Sequence, residues 1–248
     1  MTTHEGRVAV VTGAAVGFGH AISCELARRG ADIIAVDLNS ADDTVAAVHQ
    51  IGRQALSLQA DLSDPEQVAG IAGDLLRIAG RVDILINNAG VFPSRDVFEL
   101  DFAEWKRILG INLDSQFLMA KAVIGSMREN SWGRIVNLAS NTLGLAVPNM
   151  VPYLTSKGAV VGFTRALATD LAPFGITVNA VCPTASRTPG MQQKSVDDAR
   201  LQVIANMQAI KRIGTAQDIV GTVSFLSSDD CAFMTGQTLV ADGGLMRV

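Results

Sequence analysis

The chain contains a single tyrosine, Tyr153, in 248 residues, beside 9 Phe and 2 Trp. Its bulky rings are therefore phenylalanines, and the one phenol raises the question of what its hydroxyl does. Histidine is as scarce. His4, His20 and His49 stand apart without metal-ligand spacing, which argues against a zinc enzyme and against histidine-dependent hydrolysis. The three cysteines, Cys24, Cys182 and Cys231, form no Cys-x-x-Cys pair and read as reduced, buried thiols of a cytoplasmic protein. No apolar run nears the roughly 20 residues of a membrane helix. The polar start over 1–7 leads straight into a strand, so no secretory signal and no membrane partner are expected. Basic stripes are missing too: 20 Lys+Arg face 24 Asp+Glu, for a net charge of −4, which argues against a nucleic-acid partner.

What is present is apolar. Hydrophobic residues make up 48% of the chain and charged ones 18%, enough for a sizeable core. Short β-branched runs over 8–12, 32–36, 55–60, 84–87, 134–138, 177–181 and 238–240 alternate with helical stretches near 18–29, 41–51, 65–79, 102–129, 152–172 and 216–227. Ser63-Asp64-Pro65 supplies a polar cap and an early proline for the third helix. Strands apolar nearly throughout, separated by helices, predict a doubly wound α/β fold: one domain, 1–248, with a seven-stranded parallel sheet covered by helices on both faces. The stretch 183–212, with Pro183, Pro189 and Gly190, reads as an excursion on the substrate side.

The first strand runs into Thr12-Gly13-Ala14-Ala15-Val16-Gly17-Phe18-Gly19 and then a helix. Glycines there allow a tight turn and close backbone approach, and the helix N-terminus offers free N–H groups to a pyrophosphate. The spacing is GxxxGxG rather than GxGxxG, and a glycine-rich turn without a ligand is the bland alternative. Asp37 closes the second strand, where a carboxylate accepts from the ribose hydroxyls of NAD and repels the 2′-phosphate of NADP. Neither Val16 nor Leu38 is basic, so no cation stands ready for that phosphate. Asp61-Leu62 closes the third strand, where an adenine edge would lie.

Ser140 ends the fifth strand, and Tyr153 and Lys157 lie one helical turn apart on the next helix. A free tyrosine, with a pKa of about 10, is a poor base at neutral pH, and a neighbouring ammonium together with an oxidised nicotinamide would lower it. These motifs, with Asn87-Asn88-Ala89-Gly90, Asn112 and the closing Gly236-Gln237-Thr238 … Asp242-Gly243-Gly244, resemble the short-chain dehydrogenase/reductases over nearly the whole chain.

The resemblance implies a Rossmann-type fold and a role for each matching residue. Tyr153 would be the acid/base, Ser140 would hold the substrate oxygen, and Lys157 would bind the nicotinamide ribose and tune Tyr153. Asn112 would anchor a water of the proton relay. Gly13, Val16, Gly17, Phe18, Gly19, Asp37, Leu38, Asp61, Leu62, Asn88, Ala89, Gly90, Pro183, Ser186 and Thr188 would line an NAD site, and Asn87 would tie neighbouring strands. Phe92, Asn141 and Leu143 would face the substrate with Ser140 and Tyr153. Leu145, Val147, and Met191 or Met207 are further pocket candidates. Arg95, Arg187 and Lys194 would meet a substrate anion or face water.

Two departures stand out. Thr184 occupies a position where the family has glycine, and Phe18 one where Ile or Leu is commoner. Some stretches resemble (S)-1-phenylethanol dehydrogenases and others pyridoxal 4-dehydrogenases, which both act with NAD on an alcohol beside an aromatic ring. The expectation is an NAD-dependent enzyme interconverting an aryl or hydrophobic secondary alcohol and its ketone, assembled as a homotetramer. The alternatives are a pyridoxal-type dehydrogenase, an NADPH-dependent ketoacyl reductase, and a catalytically silent NAD sensor on the same fold.

Overall fold

The computed structural model describes residues 2–190 and 198–247. Seven strands form one parallel sheet in the order β3-β2-β1-β4-β5-β6-β9. They are β1 (Val8–Thr12), β2 (Asp32–Asp37), β3 (Ala55–Gln59), β4 (Ile84–Asn87), β5 (Gly133–Leu138), β6 (Ile176–Pro183) and β9 (Thr238–Ala241). A separate pair, β7 (Ser186–Arg187) and β8 (Gly214–Thr215), runs parallel beside it. The chain builds outward from β1 to β3 and then crosses back to place β4 on the other side of β1. That reversal opens a crevice at the carboxyl ends of β1 and β4, the usual ligand position in doubly wound sheets.

Alternation along each strand feeds two cores. Ala9, Val11, Ile33, Ala35, Ile84 and Ile86 pack on one face against α1 (Gly17–Arg28), α2 (Asp42–Gln50) and α8 (Gln217–Leu226). Val10, Ile34, Val36, Leu85 and Ile135 pack on the other face against α3 (Pro65–Ala79), α5 (Ser115–Glu129) and α6 (Val151–Leu171). A fully buried side chain such as Leu85 contributes about 2–3 kcal/mol of apolar transfer free energy. The cap predicted for α3 is Asp64, whose side chain accepts from the Glu66 N–H, and Gly80 ends the helix in the left-handed region.

One element departs from expectation. The stretch 102–129 is not one α-helix: α4 (Phe102–Leu109) passes through a π-helical turn, Gly110–Asp114, before α5 begins. That turn carries Asn112, whose side chain bonds to Val91 in a neighbouring loop and holds the wider turn open. In the excursion, α7 (Asp198–Met207) follows β7 after 191–197, so Met191 and Lys194 lie outside the described residues. No helix among the described residues is long and apolar enough to cross a membrane.

Candidate active site

The glycine turn after β1 is built by contact. Gly13 and Gly17 have φ of +64° and +62°, and a Cβ on Gly13 would lie 2.9 Å from the Ala89 Cα. A Cβ on Gly19 would collide with the Gly13 carbonyl, so the first turn of α1 sits directly on the strand end. Thr12 Oγ1 accepts from the N–H groups of Asn88 and Ala89, while Asn88 Nδ2 donates to the carbonyls of Thr12 and Gly13. The two strand-end turns thereby lock together. Val16 is exposed at the mouth, and Phe18 tucks its ring against the core. Thr188 closes over the turn, its Cβ 3.5 Å from where a Cβ on Gly17 would stand.

Asp37 holds this turn from the side. Its Oδ2 accepts from the Ala15 N–H at 2.9 Å and its Oδ1 from the Asn39 N–H at 2.9 Å. Leu38, next to it, is exposed. Asp61 accepts from the Ser63 N–H and hydroxyl, whereas the Leu62 side chain is buried in the core and leaves only its backbone to a ligand.

At the far end of the crevice, β5 runs into Ser140, whose Oγ caps the short turn Asn141–Gly144 and shares a hydrogen bond of 2.8 Å with Thr142 Oγ1. The same hydroxyl hydrogen-bonds the Tyr153 phenol and draws its pKa down, but burial outweighs this and holds the phenol above its ordinary value. Lys157 Nζ donates to the Leu138 carbonyl at 2.6 Å and lies 6.0 Å from the Tyr153 ring centroid. Burial lowers its pKa to about 8. In the protein alone the ammonium therefore does not produce the lowered tyrosine pKa that the spacing suggests, because the phenol's desolvation wins. Burial also pushes the Cys182 thiol up, which keeps it neutral between Ser140 and Lys157.

Asn112 reaches this group from the π-helical turn. Its Oδ1 accepts from the Val91 N–H at 2.7 Å, and its Nδ2 donates to the Val91 carbonyl at 2.8 Å and to Ser156 Oγ at 3.0 Å. Both amide hydrogens are thus engaged within the protein. Ser156 in turn donates to the Tyr153 carbonyl, so Asn112 also steadies the Tyr153–Lys157 helix. Gly90 lies between these groups: a Cβ there would stand 3.2 Å from Asn112 Oδ1 and 3.5 Å from Lys157 Nζ. Asn87 is structural, donating to Asn137 on the next strand, which donates to Thr164 on α6.

Other expected residues divide. Phe92 and Leu143 are half-buried, and Leu143 packs on Gly158, the residue after Lys157. Asn141 is buried, and its amide donates to Asp242 rather than facing the crevice as a free group. Pro183 ends β6, and Ser186 is buried in β7 with its hydroxyl donating to the Thr184 carbonyl. Thr184, the departure from glycine, is accommodated because Gly214 opposite it has no side chain: a Cβ on Gly214 would meet Thr184 Cγ2 at 3.1 Å. Arg95 and Arg187 form ion pairs with Glu104 and Asp198, and Met207 is exposed. The partners Thr142, Ser156, Val91 and Asp242 were not expected. Ser156 sits within the Tyr153–Lys157 turn and Asp242 within the closing motif, but a contact between segments as distant as Asn141 and Asp242 leaves no local signal.

Residues 13–246 match the family described as adh_short_C2, enoyl-(acyl carrier protein) reductase. The chain is 35% identical over 244 residues to the 3-oxoacyl-[acyl-carrier-protein] reductase FabG of Escherichia coli K12, covering 98% of this chain and 99% of that one. It is 37% identical over 243 residues to the (2S)-[(R)-hydroxy(phenyl)methyl]succinyl-CoA dehydrogenase subunit BbsD of Thauera aromatica, covering 97% and 96%. Among solved structures, an assigned NAD(P)-dependent gluconate 5-dehydrogenase from Beutenbergia cavernae, with bound NADP, superposes with a TM-score of 0.93 at 36% identity over 98% of each chain. Carveol dehydrogenase from Mycobacterium avium, in complex with NAD, superposes at 0.91 with 28% identity over 98% of each chain. With both the fold and the sequence shared end to end, this chain belongs to the short-chain dehydrogenase/reductase family, oxidoreductases that use nicotinamide cofactors.

Proposed function

We propose that this enzyme is NAD-dependent and interconverts a secondary alcohol and its ketone on a hydrophobic, in particular aryl-bearing, substrate. The observation that carries the reading is the meeting of Ser140, Tyr153 and Lys157 beside Gly90, at the end of the crevice that begins at the glycine turn. The residues present fit a dinucleotide. Gly13, Gly17 and Gly19 leave room for a pyrophosphate at the backbone, Asp37 at the end of β2 would accept from an adenosine ribose, and Thr188 lies against the same turn. A bound nicotinamide would supply the hydride acceptor in oxidation and the donor in reduction.

The chain's own residues manage the proton. Tyr153 takes the hydroxyl proton as the alcohol is oxidised and returns it as the ketone is reduced. Ser140 orients the substrate oxygen and the phenol together. Lys157, held by the Leu138 carbonyl, brings positive charge that favours phenolate once an oxidised nicotinamide lies alongside. Both amide hydrogens of Asn112 are engaged, so a relay water at this residue would donate to one of its oxygens rather than accept from its amide.

Two observations support the finer parts. The carboxylate of Asp37 disfavours a 2′-phosphate, which supports NAD over NADP. The name of the BbsD relative describes a hydroxyl on a carbon bearing a phenyl ring, which supports an aryl-substituted alcohol. The FabG relative favours a second reading, a ketoacyl reductase. NADH and NADPH oxidation measured with acetophenone, 2-alkanones, pyridoxal and an acetoacetyl thioester separates these readings. Turnover of acetophenone with NADH supports the proposal. A preference for NADPH with the thioester alone would overturn it, and silence with every carbonyl would favour a nucleotide sensor. Assembly as a homotetramer in the cytoplasm belongs to the same reading. It is supported by the exposed rings of Phe98, Phe102 and Phe233 and by three free, buried cysteines, and light scattering checks the assembly.

A further inference from the structure

The Asp242-Gly243-Gly244 turn that follows β9 takes no direct part in the site, yet it joins three segments around one buried carboxylate. Asp242 Oδ1 accepts from the N–H groups of Gly244 at 3.0 Å and Leu245 at 3.1 Å. Its Oδ2 accepts from the Met246 N–H at 2.7 Å and from Asn141 Nδ2 at 3.1 Å. Gly243 and Gly244, with φ of +70° and +77°, let the chain curl around the carboxylate in a way side-chain-bearing residues rarely can. The back of the turn is wedged against the segment after α7. Ile210 donates its N–H to the Gly243 carbonyl at 2.8 Å, and a Cβ on Gly244 would stand 2.9 Å from the Ala209 Cβ. The end of the tail returns to the site, where the Met246 side chain packs directly onto Gly144.

Asn141 and Gly144 are the two ends of the turn that Ser140 caps. Both ends are therefore held from the C-terminal tail, one through the Asp242–Asn141 hydrogen bond and one through Met246. We propose that Asp242 is a positioning residue for Ser140. Its carboxylate fixes the 141–144 turn and, through it, the placement of the Ser140 hydroxyl against Tyr153. A carboxylate suits the site because four N–H donors converge on its two oxygens. A neutral amide would direct N–H groups at N–H groups. Hydroxyl placement matters here because misplacement by about 1 Å can cost a reaction about 100-fold.

The inference rests on the oxidoreductase reading, so its test carries a second readout that does not depend on the substrate. Full-length Asp242→Asn, Asn141→Ala and the double variant are compared with wild type by steady-state kinetics with NADH and acetophenone, and by amide hydrogen exchange. Asp242→Asn is expected to lower kcat about 10- to 100-fold, with the NADH dissociation constant unchanged within about twofold. Exchange over 141–145 should rise about tenfold or more while β1 and β4 keep their protection. Asn141→Ala, which cuts only the side-chain link, should lower kcat comparably and leave the tail over 243–247 protected. The double variant should be no slower than the slower single variant. Full kcat in Asn141→Ala, multiplicative losses in the double variant, or faster exchange confined to the tail would each overturn the proposal. If acetophenone is not a substrate of the wild type, the exchange of 141–145 in Asp242→Asn decides alone: a rise supports the link and no change refutes it.

Discussion

Lys157 Nζ donates to the Leu138 carbonyl at 2.6 Å, so the ammonium is held at the strand end that leads, two residues on, to Ser140. The contact explains how a buried cation is tolerated: a charge-assisted hydrogen bond offsets part of the cost of removing it from water.

That cost sets the first expectation. Burial lowers the Lys157 pKa from 10.5 to about 8, so folding disfavours the protonated form. The penalty is present in full below pH 8 and fades as pH rises from 8 to 10.5, where the unfolded chain loses its proton too. Its size at neutral pH is about 3 kcal/mol, part of which the Leu138 bond returns. Lys157→Met should therefore unfold at higher urea at pH 7, by about 1–3 kcal/mol, with the gain shrinking by pH 10, while turnover falls at least about 100-fold. A variant less stable than wild type at pH 7 contradicts this account.

Tyr153→Phe removes one oxygen from a half-buried ring and keeps the packing. Turnover should fall by about 10²–10⁴-fold, with NADH binding, followed by nucleotide fluorescence, nearly unchanged. In wild type, alcohol oxidation should accelerate with rising pH, because burial keeps the phenol protonated at neutral pH. Residual activity of Tyr153→Phe should lack that slope. A variant with wild-type turnover would remove Tyr153 from the proton path.

Asp37 has two tasks, and its removal should show both. Asp37→Ala deprives the Ala15 and Asn39 N–H groups of their acceptor and removes the charge that opposes a 2′-phosphate. The ratio of NADPH to NADH affinity should rise about tenfold or more, and NADH affinity should itself weaken severalfold because the glycine turn loses its brace. Parallel fluorescence titrations with the two nucleotides measure this. An unchanged ratio would show that Asp37 serves the turn alone.

Acid should act on the fold through His4. It is fully buried, hydrogen-bonds Ser227 Oγ at 3.0 Å, and burial lowers its pKa from 6.5 to about 4. The unfolded chain takes up a proton as pH falls through 6.5 while the folded protein does not until about 4, so stability declines across that window. The loss by pH 4 is about 3 kcal/mol. His4→Gln should flatten this decline in a thermal-unfolding series between pH 7 and pH 4, whatever its effect at pH 7. A decline of the same steepness in the variant would assign acid sensitivity to other groups.

Much of this was legible in the chain itself. Val8–Thr12 and Ile84–Asn87 read as strands because both faces of a parallel sheet are buried and every residue is apolar until the turn. Asp64-Pro65 marked the start of α3 because an N-terminal cap is local chemistry. The π-helical turn was not legible, since the stretch 102–129 carries a helical pattern throughout and the distortion comes from a bond to Val91. The Asn141–Asp242 bond was not legible either: adjacency to Ser140 points to the substrate, whereas this partner comes from the far end of the chain.

The sequence by itself determined the doubly wound sheet, the glycine turn and the one-turn spacing of Tyr153 and Lys157, because each depends on periodicity or on neighbours along the chain. Tertiary structure alone decided what those residues experience. Desolvation raises the phenol and lowers the ammonium, Asn112 spends both amide hydrogens on Val91 and Ser156, and Asp242 gathers the tail beside Ser140. Burial and long-range hydrogen bonds are properties of the assembled chain, and no local spacing encodes them.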